Sequence, residues 1–117
     1  MAPKSIKQMT EEIIQFRDER DWKQFHNPKD FAISLSLEAA EVLEHFQWKT
    51  ADELEIYVKE NKEDISDELA DVLYWVISMA EMLDINLSDA FSKKMKKNEA
   101  KYPVEKAKGK KLKYNKL

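Results

Sequence analysis

The chain has 117 residues, of which 43% are hydrophobic and 37% are charged, with one glycine, three prolines and no cysteine. That length predicts one domain with a modest core, and the absence of cysteine excludes disulfides, thiolate nucleophiles and zinc–cysteine sites. The net charge of −3 is unevenly spread, because residues 101–117 hold seven lysines and one glutamate. A duplex-DNA-binding domain would carry a basic face on its folded body, so we expect no nucleic-acid partner.

The first residues and the apolar runs of the chain indicate where in the cell the protein is expected. The first residues lack the apolar core of a signal peptide, and no run approaches the length of a membrane span. We therefore expect a cytoplasmic protein without a membrane partner. Residues 1–102 are predicted to form a helical domain, and residues 103–117 a basic tail. The tail is interpreted either as a solvated end or as a strap that closes over an anionic group.

Glycine and proline are sparse and no strand-like alternation of β-branched residues occurs, so the pattern predicts an all-α fold. We expect four helices and one additional short helix, in a domain of the four-helix-bundle type. Thr50 and Glu53 are expected to form a capping box. The predicted helices are Ile6–Glu19 after the N-cap Ser5, Pro28 to Gln47 or Trp48 after Asn27, a short helix from Thr50 to Glu60, Lys62–Leu83, and Leu87–Lys101 after Asn86.

Two of these helices each carry a pair of acids three residues apart. Glu38 and Glu41 lie on the second helix, and Glu68 and Asp71 lie on the long helix that begins at Lys62. Residues at this spacing project from one face of a helix. The other positions around both helices are largely apolar, which predicts that the helices are buried and their acids with them.

Buried carboxylates need a partner of opposite charge. One interpretation pairs them with lysine or arginine on a neighbouring helix. Lysines are scarce between the two acid pairs, however, so we favour a divalent cation. A site built only of carboxylates selects a hard ion, Mg²⁺ or alternatively Mn²⁺.

Aromatic residues near the acids indicate what the cation would help to bind. The loop before the second helix carries Trp22 and His26, which either plug the end of the bundle or form a wall for a flat heterocycle. Trp75 lies one turn after Asp71, on the stripe of acids. Because Mg²⁺ binds phosphates and aromatic rings stack on bases, these parts predict hydrolysis of a nucleotide at its phosphate chain.

Three other kinds of site are excluded. Gly109 is the only glycine, so neither a P-loop nor a dinucleotide-binding fingerprint can be built. A di-iron carboxylate bundle needs a Glu-x-x-His motif on each of two helices, and the sequence has none.

Several segments resemble the MazG-like, all-α nucleoside triphosphate pyrophosphohydrolases, with the closer likeness to their dCTP pyrophosphatase branch. The likeness covers nearly the whole chain. Besides the two acid pairs, the segments are Glu19–His26, Phe46–Thr50, Glu68–Leu73, Lys94–Asn98, Lys101–Pro103 and Lys113–Tyr114. The resemblance implies Mg²⁺-dependent cleavage of a deoxynucleoside triphosphate to its monophosphate and pyrophosphate. The substrate would be dCTP or a modified pyrimidine nucleotide, removed from the nucleotide pool.

The resemblance also implies roles for particular residues. The four acids Glu38, Glu41, Glu68 and Asp71 would be the catalytic residues and metal ligands. The base and sugar would contact Trp22, His26 and Trp48, with Trp75 stacking at a position where close relatives can carry tyrosine. The phosphates or sugar would contact Lys94, Asn98 and Tyr102. The assembly implied is a homotetramer built from dimers, with sites near subunit interfaces.

Two further departures from the family pattern are present. Leu37 precedes Glu38 where the family often has a second acid, and His45 lies on the acid stripe where an aliphatic residue is usual. We interpret His45 as structural or supporting and not as a ligand. The apolar girth of the second helix independently predicts a homo-oligomer. The alternative functions are a non-catalytic nucleotide-binding module and a purely structural helical oligomer.

Overall fold

The computed structural model describes residues 2–117, in which helices are the only regular secondary structure. The α-helices are α1 (Ile6–Glu19), α2 (Pro28–Glu44), α3 (Ala51–Glu60), α4 (Lys62–Met82), α5 (Leu87–Lys101) and α6 (Val104–Ala107), with 3₁₀ turns at Lys23–Phe25 and Tyr114–Lys116. The all-α prediction is therefore confirmed. No helix among the described residues is both long enough and apolar enough to cross a membrane.

The helix starts predicted from the caps are confirmed. The Asn27 side chain accepts a hydrogen bond from the Asp30 amide at 2.9 Å and thereby begins α2. The Thr50 hydroxyl accepts from the Glu53 amide at 3.3 Å. The predicted capping box at this position is incomplete, because the Glu53 carboxylate accepts from the Thr50 hydroxyl at 3.2 Å instead of the Thr50 amide. A complete box forms at Ser5, with Gln8 as its second member.

The end of α2 comes earlier than predicted. Its last helical residue is Glu44, and residues 45–48 form turns. The amide of Phe46 bonds to the Leu43 carbonyl three residues back at 2.9 Å, so the chain tightens before Trp48 is reached.

The last residues of α1 and α4 are held by Schellman motifs whose left-handed residue is aspartate. Asp21 has φ 54° and Asp84 has φ 55°. After α1, the Trp22 amide bonds to the Arg17 carbonyl at 3.1 Å. After α4, the Ile85 amide bonds to the Ala80 carbonyl at 2.8 Å. Glycine usually fills the left-handed position, and in this glycine-poor chain aspartate fills it because its short side chain tolerates that backbone.

By its internal contacts the chain forms two compact units, the first ending at Ile85 and the second spanning Asn86–Leu117. In the second unit the tail is joined to the end of α5. The rings of Tyr102 and Tyr114 meet edge to face at 6.3 Å, and the Lys101 ammonium lies 4.8 Å from the Tyr114 ring centroid. A helical domain ending at residue 102 stays a prediction.

Within the first unit α4 is the central element, against which α1, α2 and α3 all pack. Phe31, Ile77 and Ala80 form the buried apolar core. The largely buried guanidinium of Arg17 ties α1 to α4 through Glu81, with an N–O distance of 3.0 Å.

The expectation that α2 is buried is wrong for the single chain. Ile33, Leu37 and Leu43 are 48%, 62% and 54% exposed, and Phe31 is the one buried residue of the helix. The homo-oligomer predicted from this apolar pattern stays a prediction. A single chain of this length has too few helices to cover the apolar surface of α2.

Candidate metal and nucleotide site

The packing of α2 against α4 brings three of the predicted acids together. One oxygen from each of Glu38, Glu41 and Glu68 lies within 4.8 Å of the other two. Glu38 and Glu41 share a face of α2 because they are three residues apart, and Glu68 approaches them from α4. We call these three residues the carboxylate cluster.

Two oxygens of the carboxylate cluster are buried without a hydrogen-bond partner, Oε2 of Glu38 and Oε2 of Glu68. Buried polar atoms in folded proteins are almost always bonded, so each of these oxygens calls for a ligand. None of the ion pairs among the described residues involves the cluster. The described residues therefore do not support the interpretation in which lysine or arginine neutralises these acids.

Crowding and burial change the protonation of the carboxylate cluster. The pKa of Glu68 is raised to about 7, first by hydrogen bonding with Glu41, then by burial and by the charges of Glu41, Glu38 and Asp71. The pKa of Glu38 is raised as well, first by burial and then by its contact with Glu41 and the charges of Glu41 and Asp71. Without a cation the cluster therefore retains protons at a pH where ordinary glutamates have lost them.

These features fit a divalent metal ion. The donor atoms are all carboxylate oxygens, which hard cations prefer, and the two unpartnered oxygens supply free electron pairs. The chain's own residues therefore provide a chemically suitable site for such an ion.

Asp71 lies outside the group of three oxygens but acts on it. Its charge raises the pKa of both Glu38 and Glu68, which places it within electrostatic range of the carboxylate cluster. It also lines the neighbouring cleft together with Glu38. Its role as a direct metal ligand stays a prediction.

An open cleft with a volume of about 570 Å³ adjoins the acids. That volume is in the range of ordinary small-ligand pockets. Glu38 and Asp71 stand on its wall, and so do Trp22 and Trp75. The structure thus brings two of the predicted base-contacting tryptophans into one cleft with two of the predicted acids.

Trp75 is held in the cleft by its aromatic neighbours. Its ring meets Phe31 edge to face at 5.1 Å and Tyr74 at 5.0 Å. Such geometry is the favoured arrangement of aromatic pairs, so the indole is fixed in the wall of the cleft.

His26 lies elsewhere. It lines a separate cavity of about 190 Å³ together with Arg17 and Glu81. Burial and the charge of Arg17 lower the pKa of His26, and Glu81 partly opposes them. The 3₁₀ turn at Lys23–Phe25 separates Trp22 from His26, so the two residues of one loop face different cavities.

Trp48 is 87% exposed and lines neither of the two cavities described above. Within the described chain Trp48 is therefore not a core residue. Its predicted contact with the base stays a prediction, as does that of His26.

The predicted phosphate or sugar contacts are in the second unit. Lys94 and Asn98 are one turn apart on α5 and share a face of it, and Tyr102 follows the helix as its C-cap. Lys94 is exposed and Asn98 is half-buried. Their roles stay predictions.

Sequence reasoning missed several residues of the cleft. Phe16, Tyr74 and Glu12 line it, with Met9 and Ile13. Ile13 and Phe16 lie on the apolar stripe of α1, which has the sequence of an ordinary amphipathic helix. The sequence carried no signal for this, because the stripe has the same pattern whether it faces a core or a cleft.

His45 has a structural contact, as interpreted. Its Nδ1 lies 2.6 Å from the Tyr57 hydroxyl, which joins the end of α2 to α3. The Lys49 ammonium lies 4.0 Å from the centroid of the same Tyr57 ring.

Comparison with known proteins gives consistent results. Residues 33–117 match the family model described as MazG-like family. dCTP pyrophosphatase 1 of Mus musculus is 34% identical over 105 residues, which cover 88% of this chain and 62% of the mouse protein. dCTP pyrophosphatase 1 of Homo sapiens has the same identity and coverage. This chain therefore spans less than two thirds of the length of these mammalian relatives.

A solved structure extends the likeness to the fold. The crystal structure of a pyrophosphatase from Archaeoglobus fulgidus superposes with a TM-score of 0.80 at 36% sequence identity, covering 88% of this chain and 96% of that one. The family match includes both acid pairs and most of the chain. The chain belongs to the MazG-like family.

Proposed function

We propose that the protein is a Mg²⁺-dependent nucleoside triphosphate pyrophosphohydrolase. It cleaves dCTP or a modified pyrimidine deoxynucleoside triphosphate to the monophosphate and pyrophosphate, and so clears such nucleotides from the pool. The observation that carries the proposal is the carboxylate cluster, with two unpartnered buried oxygens, beside a cleft walled by tryptophans. The names of the relatives, dCTP pyrophosphatase 1 and pyrophosphatase, support the reaction class.

In this proposal the acids divide the work. Glu38, Glu41 and Glu68 would hold the ion, and Asp71 would add a fourth carboxylate from the wall of the cleft. When bound, such an ion would neutralise charge on the phosphate oxygens and lower the pKa of a water molecule. Glu41 is the exposed member of the cluster, and in the absence of an ion its hydrogen bond with Glu68 keeps the pKa of Glu68 raised.

In this proposal the tryptophans of the cleft bind the base. Trp22 and Trp75 offer ring faces for stacking, which tolerates different bases and contributes on the order of 1–3 kcal/mol per base. Trp48 and His26 are proposed as further contacts of the base and sugar, and Lys94, Asn98 and Tyr102 as contacts of the phosphates or sugar. We propose a cytoplasmic location and neither a nucleic-acid nor a membrane partner.

Product analysis tests the reaction. With each dNTP and Mg²⁺, the protein should release pyrophosphate, and dCTP should be among the best substrates. Glu38→Gln should lower kcat by at least about a hundredfold, because the cluster loses one charged ligand. Glu55→Gln, an exposed glutamate of α3, is the matched control and should retain full activity. Orthophosphate as the sole product, or no turnover of any dNTP, would show that the proposed reaction is wrong.

The raised pKa of Glu68 predicts how stability depends on pH in EDTA. Because the folded chain has a pKa near 7 at Glu68 and the ordinary value is 4.5, the folded state binds more protons between these values. The titration of Glu68 therefore lowers the free energy of unfolding as pH rises from about 4.5 to about 7, and this loss is complete above pH 7. In EDTA, Glu68→Gln should melt above the wild type at pH 8, and the two should converge near pH 4.

Mg²⁺ at pH 8 should raise the wild-type melting temperature at matched ionic strength, and should raise that of Glu68→Gln much less. Glu55→Gln should behave like the wild type in both solutions. A wild-type melting temperature that changes with neither pH nor Mg²⁺ would show that the proposed metal-binding cluster is wrong. The same conclusion would follow if Glu68→Gln had the same pH profile of melting temperature as the wild type.

We propose that the protein assembles as a homotetramer. The support is the half-exposed apolar surface of α2, which a second copy would cover. Light scattering at micromolar concentration should give four times the chain mass of 13.8 kDa. A monomeric mass would contradict the assembly.

The exposure of Trp48 predicts that its contribution is to binding and not to stability. Trp48→Ala should raise KM for dCTP by about tenfold, as expected for the loss of one stacked ring. Its melting temperature, measured with Mg²⁺, should stay close to that of the wild type, because an 87% exposed ring leaves no cavity in the chain when removed. Unchanged KM would remove Trp48 from the site.

A further inference from the structure

Two rings from the end of α1 form one side of the cleft. Phe16 lies in the last part of the helix and Trp22 lies just beyond it, and both line the cleft. The rings meet edge to face, with centroids 5.6 Å apart and planes at 74°. We call this pair the aromatic wall. Trp22 is 42% exposed, so packing around it is too sparse to fix its ring by contact alone.

The backbone supplies part of the constraint. The Schellman motif ties the Trp22 amide to the Arg17 carbonyl, and the Asp21 amide to the Asp18 carbonyl, each at 3.1 Å. An apolar contact across such a motif commonly accompanies it, and here that contact is the ring pair. Gln24 reinforces the turn by donating its side-chain amide to the Asp21 carbonyl at 3.0 Å and to its carboxylate at 2.9 Å.

The side chain of Arg20 supplies the remaining constraint on the two rings. Its guanidinium carbon lies 3.8 Å from the Phe16 ring centroid and 5.9 Å from the Trp22 ring centroid. Its Nη1 donates to the Phe16 carbonyl at 3.0 Å, which fixes the planar group over the ring. A guanidinium in this place attracts the electron-rich ring faces. Arg20 does not itself line the cleft.

We propose that Arg20 is a positioning residue, whose stacked guanidinium fixes the aromatic wall before a nucleotide arrives. The identity of the ligand that stacks on the wall rests on the proposed function, whereas the fixing of the wall does not. A ring held in its bound orientation loses less freedom when the base stacks on it, so Arg20 acts on binding. It acts through Phe16 and Trp22, and leaves the chemistry at the acids unchanged.

The kinetic test compares two substitutions of Arg20. Arg20→Met keeps much of the length but loses the charge and the donors, whereas Arg20→Lys keeps a cation that can lie over the ring. Arg20→Met should raise KM for dCTP by about tenfold with kcat within about twofold, and Arg20→Lys should stay within about threefold of the wild-type KM. Lys7→Met, an exposed lysine of the same helix, is the matched control and should change neither constant.

A second readout needs no turnover. In a Trp48→Phe, Trp75→Phe background the tryptophan fluorescence, excited selectively over that of the tyrosines, comes from Trp22 alone. Acrylamide should quench it about twice as efficiently after Arg20→Met as after Lys7→Met, because the freed indole spends more time in solvent. Arg20→Lys should restore most of the protection.

The outcomes separate the two proposals. A wild type that releases no pyrophosphate refutes the proposed function, and the quenching experiment then still decides the role of Arg20. Unchanged quenching with unchanged KM overturns the role of Arg20. The role of Arg20 is also overturned if Arg20→Met and Arg20→Lys lower kcat to the same extent and lower the melting temperature to the same extent. That result would mean that the arginine only supports the fold.

Discussion

The mutual repulsion of carboxylates between α2 and α4 is the constraint on which the rest of the structure depends. The packing of these two helices places Glu38, Glu41 and Glu68 together and leaves two of their oxygens buried without partners. The chain therefore spends part of its folding free energy to hold a site that is unfavourable without a cation. A divalent ion would neutralise that repulsion, so its binding would stabilise the folded state.

The same helices connect the acids to the aromatic residues. Arg17 joins α1 to α4 through Glu81, and this contact holds the end of α1 beside α4. Phe31 of α2 packs on Trp75 of α4, which keeps that indole in the cleft. The metal-binding and base-binding parts of the site thus share one rigid set of helices. A ligand in the cleft would meet preformed walls, with little left to order.

The sequence was sufficient for the features that depend on local chemistry. Asn27 and Thr50 begin helices because their side chains satisfy amides that no other group can reach, and the three-residue spacing of Glu38 and Glu41 sets their common face. It was insufficient where geometry arises from packing. The separation of Trp22 from His26 follows from a single 3₁₀ turn, and the exposure of α2 follows from the number of helices available to cover it. Neither property has a periodic pattern that a sequence could show.

We infer that the carboxylate cluster binds a divalent ion. Anomalous scattering from crystals grown with Mn²⁺ is the most direct test of this binding. We expect an anomalous peak for manganese about 2.1 Å from the buried oxygens of Glu38 and Glu68, which is the distance typical of small hard cations in carboxylate sites. The same crystals of Glu68→Gln should show a much weaker peak. A manganese peak bound elsewhere, with the cluster of the wild type empty, would contradict the account.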